Sequence, residues 1–132
     1  MNPMFRGAEA YRQTEARSRS PLELVVMLYD GALRFVGEAI DADATRQIAR
    51  RGQAISKTIA IVGELQSTLN VESGGQLAVD LDKLYGYMQQ RLLDVTMKKD
   101  TGALPEVQKL LTTLREAWSQ ISNPAVAGQA AR

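Results

Sequence analysis

The residues of this sequence that could carry chemistry are not spaced as an active site requires. The chain has no Cys and no His, so it cannot build a Ser–His or Cys–His nucleophile or a zinc–sulfur site. Carboxylate chemistry and an all-oxygen magnesium site remain open, but the spacing of Asp80, Asp82 and Asp94 does not gather carboxylates on one helical face. Residues 73–75 lack the further glycines and the preceding strand of a nucleotide-binding loop. We therefore expect no enzymatic activity, no cofactor and no metal.

Length and charge restrict the class of protein further. The 132 residues suit one domain, and 16 Lys and Arg against 15 Asp and Glu give a net charge of +1. A chain with this net charge has no general electrostatic field that would attract nucleic acid or anionic lipid. We therefore expect the basic pairs at residues 50–51 and 98–99 to be solvated charges. No apolar run reaches the ~18 residues of a membrane span, so no membrane insertion is expected. Residues 1–19 have no secretory signal, which predicts a cytoplasmic protein.

Apolar residues recur at three- and four-residue steps along most of the chain, which is the spacing of amphipathic helices. Ser20, Pro21 and Glu23 supply an N-cap, a proline for the first turn and an acid at the positive helix end. This first helix is predicted to end at about 41–44. Three further helices are predicted over about 46–69, 76–99 and 103–122, separated by a glycine-rich turn at 70–75 and a break at 100–102.

Four helices joined by short loops indicate antiparallel neighbours. We therefore predict an all-α fold in which residues 20–122 form an antiparallel up-and-down four-helix bundle. Residues 1–19 are predicted to be a flexible N-terminal segment with a short additional helix within 8–17. Residues 123–132 are predicted to be a disordered tail of small residues.

Three of the predicted helices carry more apolar surface than a bundle core needs. A helix in a bundle buries one stripe, yet second stripes run opposite or beside the first. A central first helix, buried on all sides, would explain only its own second stripe. Part of the surplus should therefore reach the surface, as a groove for a partner helix or as a homodimer interface. The partner-binding residues predicted from these stripes are Leu24, Leu28, Phe35, Ile61, Leu65, Leu93 and Met97.

The same helices carry an ordered set of short motifs. Together these motifs resemble those of the FliS family of flagellar export chaperones, over residues 8–121. One departure is Gly86, where the family commonly has Asp between two tyrosines. The motifs are MLYDGA at 27–32 after Ser20-Pro21, NVE at 70–72 before Gly74-Gly75, LYGYM at 84–88 before RLL at 91–93, and REAW at 115–118.

This resemblance implies a fold and a function. Family members are antiparallel helical bundles with a small N-terminal helical segment. They bind the disordered C-terminal segment of flagellin, prevent its premature polymerisation and assist its delivery to export gate components of the flagellar type III secretion apparatus. The N-terminal segment is expected to cover part of the client groove. In this chain that cover would include Tyr11, which we add to the predicted partner-binding residues.

Two other interpretations stay open at this stage. A self-associating helical structural protein or adaptor would use the second stripes for a homodimer, and the oligomeric state separates it from a chaperone. An enzyme with a carboxylate or magnesium site is disfavoured by the missing His and the scattered acidic residues.

Overall fold

A computed structural model of the chain describes residues 20–122, which form four helices and, within that range, no strand. The predicted all-α four-helix bundle is confirmed. The predictions for residues 1–19, including Tyr11, and for the tail at 123–132 lie outside the described residues. The helices are α1 (Pro21–Ala44), α2 (Ile48–Ser67), α3 (Val71–Met97) and α4 (Ala103–Ser122).

The start of α1 follows the sequence prediction. The Ser20 side chain accepts a hydrogen bond of 3.2 Å from the backbone N–H of Glu23, and Pro21 occupies the first turn. The hydroxyl therefore satisfies one of the N–H groups that a helix start leaves without a partner.

The start of α3 differs from the prediction. The Asn70 side chain accepts a hydrogen bond of 3.2 Å from the Ser73 N–H, so the helix begins at Val71, ahead of the glycine pair. Gly75 then has φ 57° and ψ −138°, a conformation open essentially to glycine alone. A Cβ on Gly74 would lie only 2.8 Å from that of Ala78. The two glycines thus form a kink inside α3 instead of the predicted turn between helices.

The helices are arranged as a ring in which each one packs against two neighbours. Helix α1 lies beside α2 and α4, and α3 lies beside the same two helices, so α1 and α3 face each other across the diagonal. We call the end with the connections at 45–47 and 98–102 the basal end. The opposite, apical end holds the start of α1, the connection at 68–70 and the end of α4.

The basal end of the bundle is filled by buried side chains of different sizes. Ala42, Ala103, Leu92 and Leu104 are all buried there. At the apical end, by contrast, Leu77 is 64% exposed. The bundle is therefore closed at its base and less completely covered at its apex.

Two buried tyrosines connect the diagonal helices. The hydroxyl groups of Tyr29 in α1 and Tyr85 in α3 are hydrogen-bonded to each other, and both side chains are buried. Burial raises the pKa of both hydroxyls, and for Tyr29 the bond to Tyr85 adds to the rise while a hydrogen bond with the Trp118 indole opposes it. Three helices thus meet through polar atoms in the core.

A second polar cluster fixes the connection between α3 and α4. The Arg91 guanidinium contacts three carboxylates, at 2.6 Å for Glu106, 2.8 Å for Asp100 and 3.2 Å for Asp94. The Tyr87 hydroxyl also donates to Glu106 at 2.7 Å, and this bond together with Arg91 lowers the pKa of the Glu106 carboxyl. The Arg91 guanidinium therefore fixes the connection at 98–102 to both α3 and α4.

The tyrosine pair gives a coupled effect on stability. Tyr85→Phe leaves the buried Tyr29 hydroxyl without one of its partners, which costs about 1–3 kcal/mol of unfolding free energy. The double variant Tyr29→Phe/Tyr85→Phe removes both hydroxyls, so its loss should be smaller than the sum of the two single losses. Urea denaturation of the three variants measures this coupling, and strictly additive losses would contradict it.

The same pair predicts a loss of stability in alkali. Because the pKa of each hydroxyl is raised in the folded state, the unfolded chain loses these protons first, near pH 10. The stabilisation is complete below that pH and declines as the pH rises above it. We expect the urea midpoint to fall above pH 10 more steeply in the wild type than in the Tyr29→Phe/Tyr85→Phe variant. Parallel pH curves would show that other groups cause the decline.

Candidate partner-binding groove

A groove with a volume of about 750 Å³ opens at the apical end of the bundle. Its walls come from the start of α1, the end of α2, the first turns of α3 and the last turns of α4. The kink at Gly75 lies at the start of its α3 wall, between the lining residues Gly74 and Leu77. Its apolar lining includes Leu22, Leu24, Val25, Met27, Leu28, Leu69, Leu77, Ala78, Leu81, Tyr85 and Trp118.

The few polar groups in the groove already have partners within the chain. The Thr68 hydroxyl donates to the Leu65 carbonyl at 2.6 Å, and the Asn70 side chain caps α3. The Tyr85 hydroxyl at the floor is bonded to Tyr29. What the groove presents to an occupant is therefore mainly apolar surface, without a reactive group.

The walls also determine the form of the occupant. They are built from helices, whose backbone N–H and C=O groups bond within the helix. No strand edge within residues 20–122 is available to pair with an added strand. An amphipathic helix satisfies its own backbone hydrogen bonds and therefore suits this groove, whereas an extended segment would depend on water or side chains for its backbone groups.

Two of the predicted partner-binding residues, Leu24 and Leu28, line this groove. Ile61 and Phe35 lie instead along the seam between α1 and α2. The Cδ1 atom of Ile61 would be 3.3 Å from a Cβ built on Gly31, so this side chain fits against the glycine. The Phe35 ring lies under two cations, with the Arg34 guanidinium 4.8 Å and the Lys57 ammonium 5.2 Å from its centre.

The expectation that Leu65 reaches the surface is wrong, because its side chain is only 1% exposed and belongs to the core. Helix α2 packs against both α1 and α3, so its buried arc is wider than one stripe. Leu93 and Met97 are exposed by 46% and 78%, but they lie on α3 toward the basal end, away from the groove. Tyr11 is outside the described residues.

Most of the groove lining is not among the predicted partner-binding residues. Six lining residues belong instead to the apolar repeat at three- and four-residue steps that predicts the helices and their core stripes: Leu22, Val25, Leu69, Leu77, Leu81 and Trp118. All six belong to turns near the apical end, and Leu77 is 64% exposed. One sequence signal could have identified the groove: the apolar stripe of each helix continues into the turn at the apical end, where no further helix of the bundle covers it.

Two other kinds of site are not found among residues 20–122. In this range no group of three or more acidic residues is placed to hold a metal ion. Nor does any helix in the same range have the length and apolar character needed to cross a membrane.

Comparisons with known proteins identify the family of this chain. The family model described as "Flagellar protein FliS" matches residues 4–125. The flagellar secretion chaperone FliS of Salmonella typhimurium is 38% identical over 124 residues, which cover 90% of this chain and 92% of that protein. FliS of Bacillus subtilis and FliSB of Pseudomonas aeruginosa are each 36% identical over 111 residues, covering 84% of this chain and 82% and 88% of theirs. The chain therefore belongs to the FliS family of flagellar secretion chaperones.

Proposed function

We propose that the apical groove binds the C-terminal segment of flagellin in the cytoplasm. In this proposal the chain prevents premature polymerisation of flagellin and assists its delivery to the flagellar type III secretion apparatus. The observation that supports it most directly is the apolar groove of about 750 Å³, which suits one face of an amphipathic helix. Of the predicted contact residues, Leu24 and Leu28 line this groove, and Phe35 and Ile61 lie outside it, along the seam between α1 and α2.

The energetics favour a client segment that folds as it binds. Ordering a disordered segment costs about 2–5 kcal/mol. Each large apolar side chain that it buries returns about 1.5–3 kcal/mol. Two or three leucine-sized side chains in the groove therefore offset the ordering cost, and further contacts along the seam supply net affinity.

The same burial explains how a chaperone of this kind prevents client molecules from associating with one another. An amphipathic client segment that packs against other copies must expose its apolar face to do so. While that face lies in the groove, it cannot contact a second client molecule. Binding and release are then a competition between surfaces, and this step requires no nucleotide and no covalent chemistry from the chaperone.

Residues 1–19 have the position of an intramolecular competitor for the groove. They lead directly into Pro21, which itself lines the groove. A segment tethered at the rim has an effective concentration in the ~mM range if its length allows it to reach the site. We propose that this segment, with Tyr11, covers part of the groove and is displaced by the client.

The groove gives a direct test with a matched control. Leu77→Ser removes an exposed side chain from the wall, so the fold should remain while the affinity for a flagellin C-terminal peptide falls by about tenfold or more, because 1.5–3 kcal/mol of burial is lost. Ile121→Ser is the control, since Ile121 is also exposed (55%) and near the same end but does not line the groove. Calorimetry measures both affinities, and circular dichroism checks the fold. Equal effects of the two variants would remove the groove from the proposal.

Deleting residues 1–19 tests whether this segment covers the groove. If the segment competes for the groove, its removal should tighten binding of the same peptide or leave it unchanged, because the client no longer displaces a tethered competitor. Tyr11→Ala in the full chain should shift the affinity in the same direction. Weaker binding by either variant would instead make the segment part of the client site. Light scattering on each sample shows whether self-association contributes.

A further inference from the structure

The basal end carries exposed apolar side chains together with exposed cations. Ile48 at the start of α2 is 61% exposed, and Met97 at the end of α3 is 78% exposed. The neighbouring residues Arg46, Arg50 and Lys99 are exposed as well. We call this surface the basal patch and define it as Arg46, Ile48, Arg50, Leu93, Met97 and Lys99.

The register of α2 against α3 brings Ile48 in the first turn of α2 to the same end as Met97 in the last turn of α3, and Arg46 and Lys99 lie in the two connections at that end. Gln66 donates to the Asp82 carboxylate at 2.9 Å, and a Cβ on Gly63 would lie 3.4 Å from the Gln89 amide nitrogen. Because the two helices are antiparallel, extending this register places Met97 opposite residues 51–55. The first turn of α2 and the last turn of α3 are therefore adjacent at the base.

Two of the cations occupy backbone positions that favour glycine. Arg46 and Lys99 follow the C-termini of α1 and α3 with φ values of 56° and 55°, in the left-handed region. Hydrogen bonds from the Gln47 N–H to the Ala42 carbonyl (2.8 Å) and from the Arg46 N–H to the Asp43 carbonyl (3.1 Å) identify the α1 end as a Schellman motif, whose left-handed residue is most often Gly. The backbone conformation at both sites therefore favours glycine, whereas the negative end of the preceding helix favours a cation.

The third cation occupies an electrostatically unfavourable position. Arg50 lies in the first turn of α2, which has no acidic residue, and the N-cap residue Gln47 makes no side-chain capping bond. A helix N-terminus carries partial positive charge, so a cation there is destabilising. The helix dipole of α2 therefore does not favour a cation at this position.

Most acidic groups at the base are already paired with other cations. Asp43 bonds to Arg51 at 2.9 Å, and Asp100 and Glu106 bond to Arg91. Within residues 20–122, Arg46, Arg50 and Lys99 have no carboxylate within 4.0 Å. The cations of the basal patch are thus available to external carboxylates.

We propose that the basal patch is a second docking surface, which binds an acidic amphipathic segment of another protein. Carboxylates of that segment would face Arg46, Arg50 and Lys99, and its apolar side chains would cover the exposed apolar residues. Leu93 lies one helical turn from Met97, so the patch continues from the base onto the side of α3. A peptide segment can follow this course, whereas a flat bilayer surface would contact the base alone.

The patch and the groove are far enough apart to be occupied together. Leu77 at the groove and Met97 are 20 residues apart on α3, which corresponds to about 30 Å. Two partners could therefore bind at once without contact. This second surface does not depend on which client occupies the groove.

The test uses the full chain and a defined probe, a synthetic helical peptide of about five turns with leucines on one face and glutamates on the other. The leucine face of this peptide also suits the apical groove, so NMR is recorded on the labelled Leu77→Ser variant, in which the groove is weakened, and should show a set of shifts in the basal patch that report the affinity of that surface. Ile48→Ser/Met97→Ser and Arg50→Glu/Lys99→Gly should each weaken binding by about tenfold or more. Lys83→Glu, a charge reversal elsewhere on α3, should leave it unchanged. Shifts spread over the surface, or equal losses in the Lys83→Glu control, would overturn the proposal.

Thermal unfolding separates binding from a merely structural role. Arg50→Glu and Lys99→Gly place better residues at a helix start and at a left-handed position, so each should keep or raise the Tm while weakening the peptide complex. A lowered Tm in both would show that the cations serve the fold. Three further results would also overturn the proposal: equal binding of a peptide with serines in place of leucines, preferential binding of phosphatidylglycerol vesicles, or light scattering that shows the patch buried in a homodimer.

Discussion

The contact between Tyr29 and Tyr85 sets the form of the upper half of the bundle. Two large side chains that meet across the diagonal keep α1 and α3 apart, and their hydroxyls satisfy each other in the core. Tyr85 and Trp118 are at the same time part of the groove, and the Trp118 indole reaches Tyr29. The hydrogen bonds that hold the helices apart thus also saturate the polar atoms beneath the groove, which leaves an apolar floor.

An open apical end conflicts with maximum stability. A fully sealed core would bury Leu77 and the first turns of α1, and each such side chain would contribute about 1.5–3 kcal/mol. The chain instead uses glycine at position 75 to bend α3 where its wall begins. The buried side chains at the base and the ion pairs of Arg91 hold the helices together elsewhere, so the groove is open within a bundle that remains well packed.

The sequence predicts the helices well, because their stripes and the Ser20 cap are local signals. Three features depend on information that one helix does not carry. Leu65 is buried because α2 packs against two neighbours. The glycines at 74–75 form a kink because Asn70 caps α3 before them. The groove consists largely of core-stripe residues, because the same spacing serves a buried turn and an uncovered one.

The two ends of the bundle differ in what a bound partner must supply. At the apex an occupant gains mainly from apolar burial, which depends weakly on salt, whereas at the base carboxylates would add an electrostatic contribution that salt screens. Affinities at the two ends should therefore respond differently to ionic strength. With the ends about 30 Å apart on one helix, a client at the proposed groove and a second protein at the proposed basal patch would be held in a fixed relation, and a change in ionic strength would release one before the other.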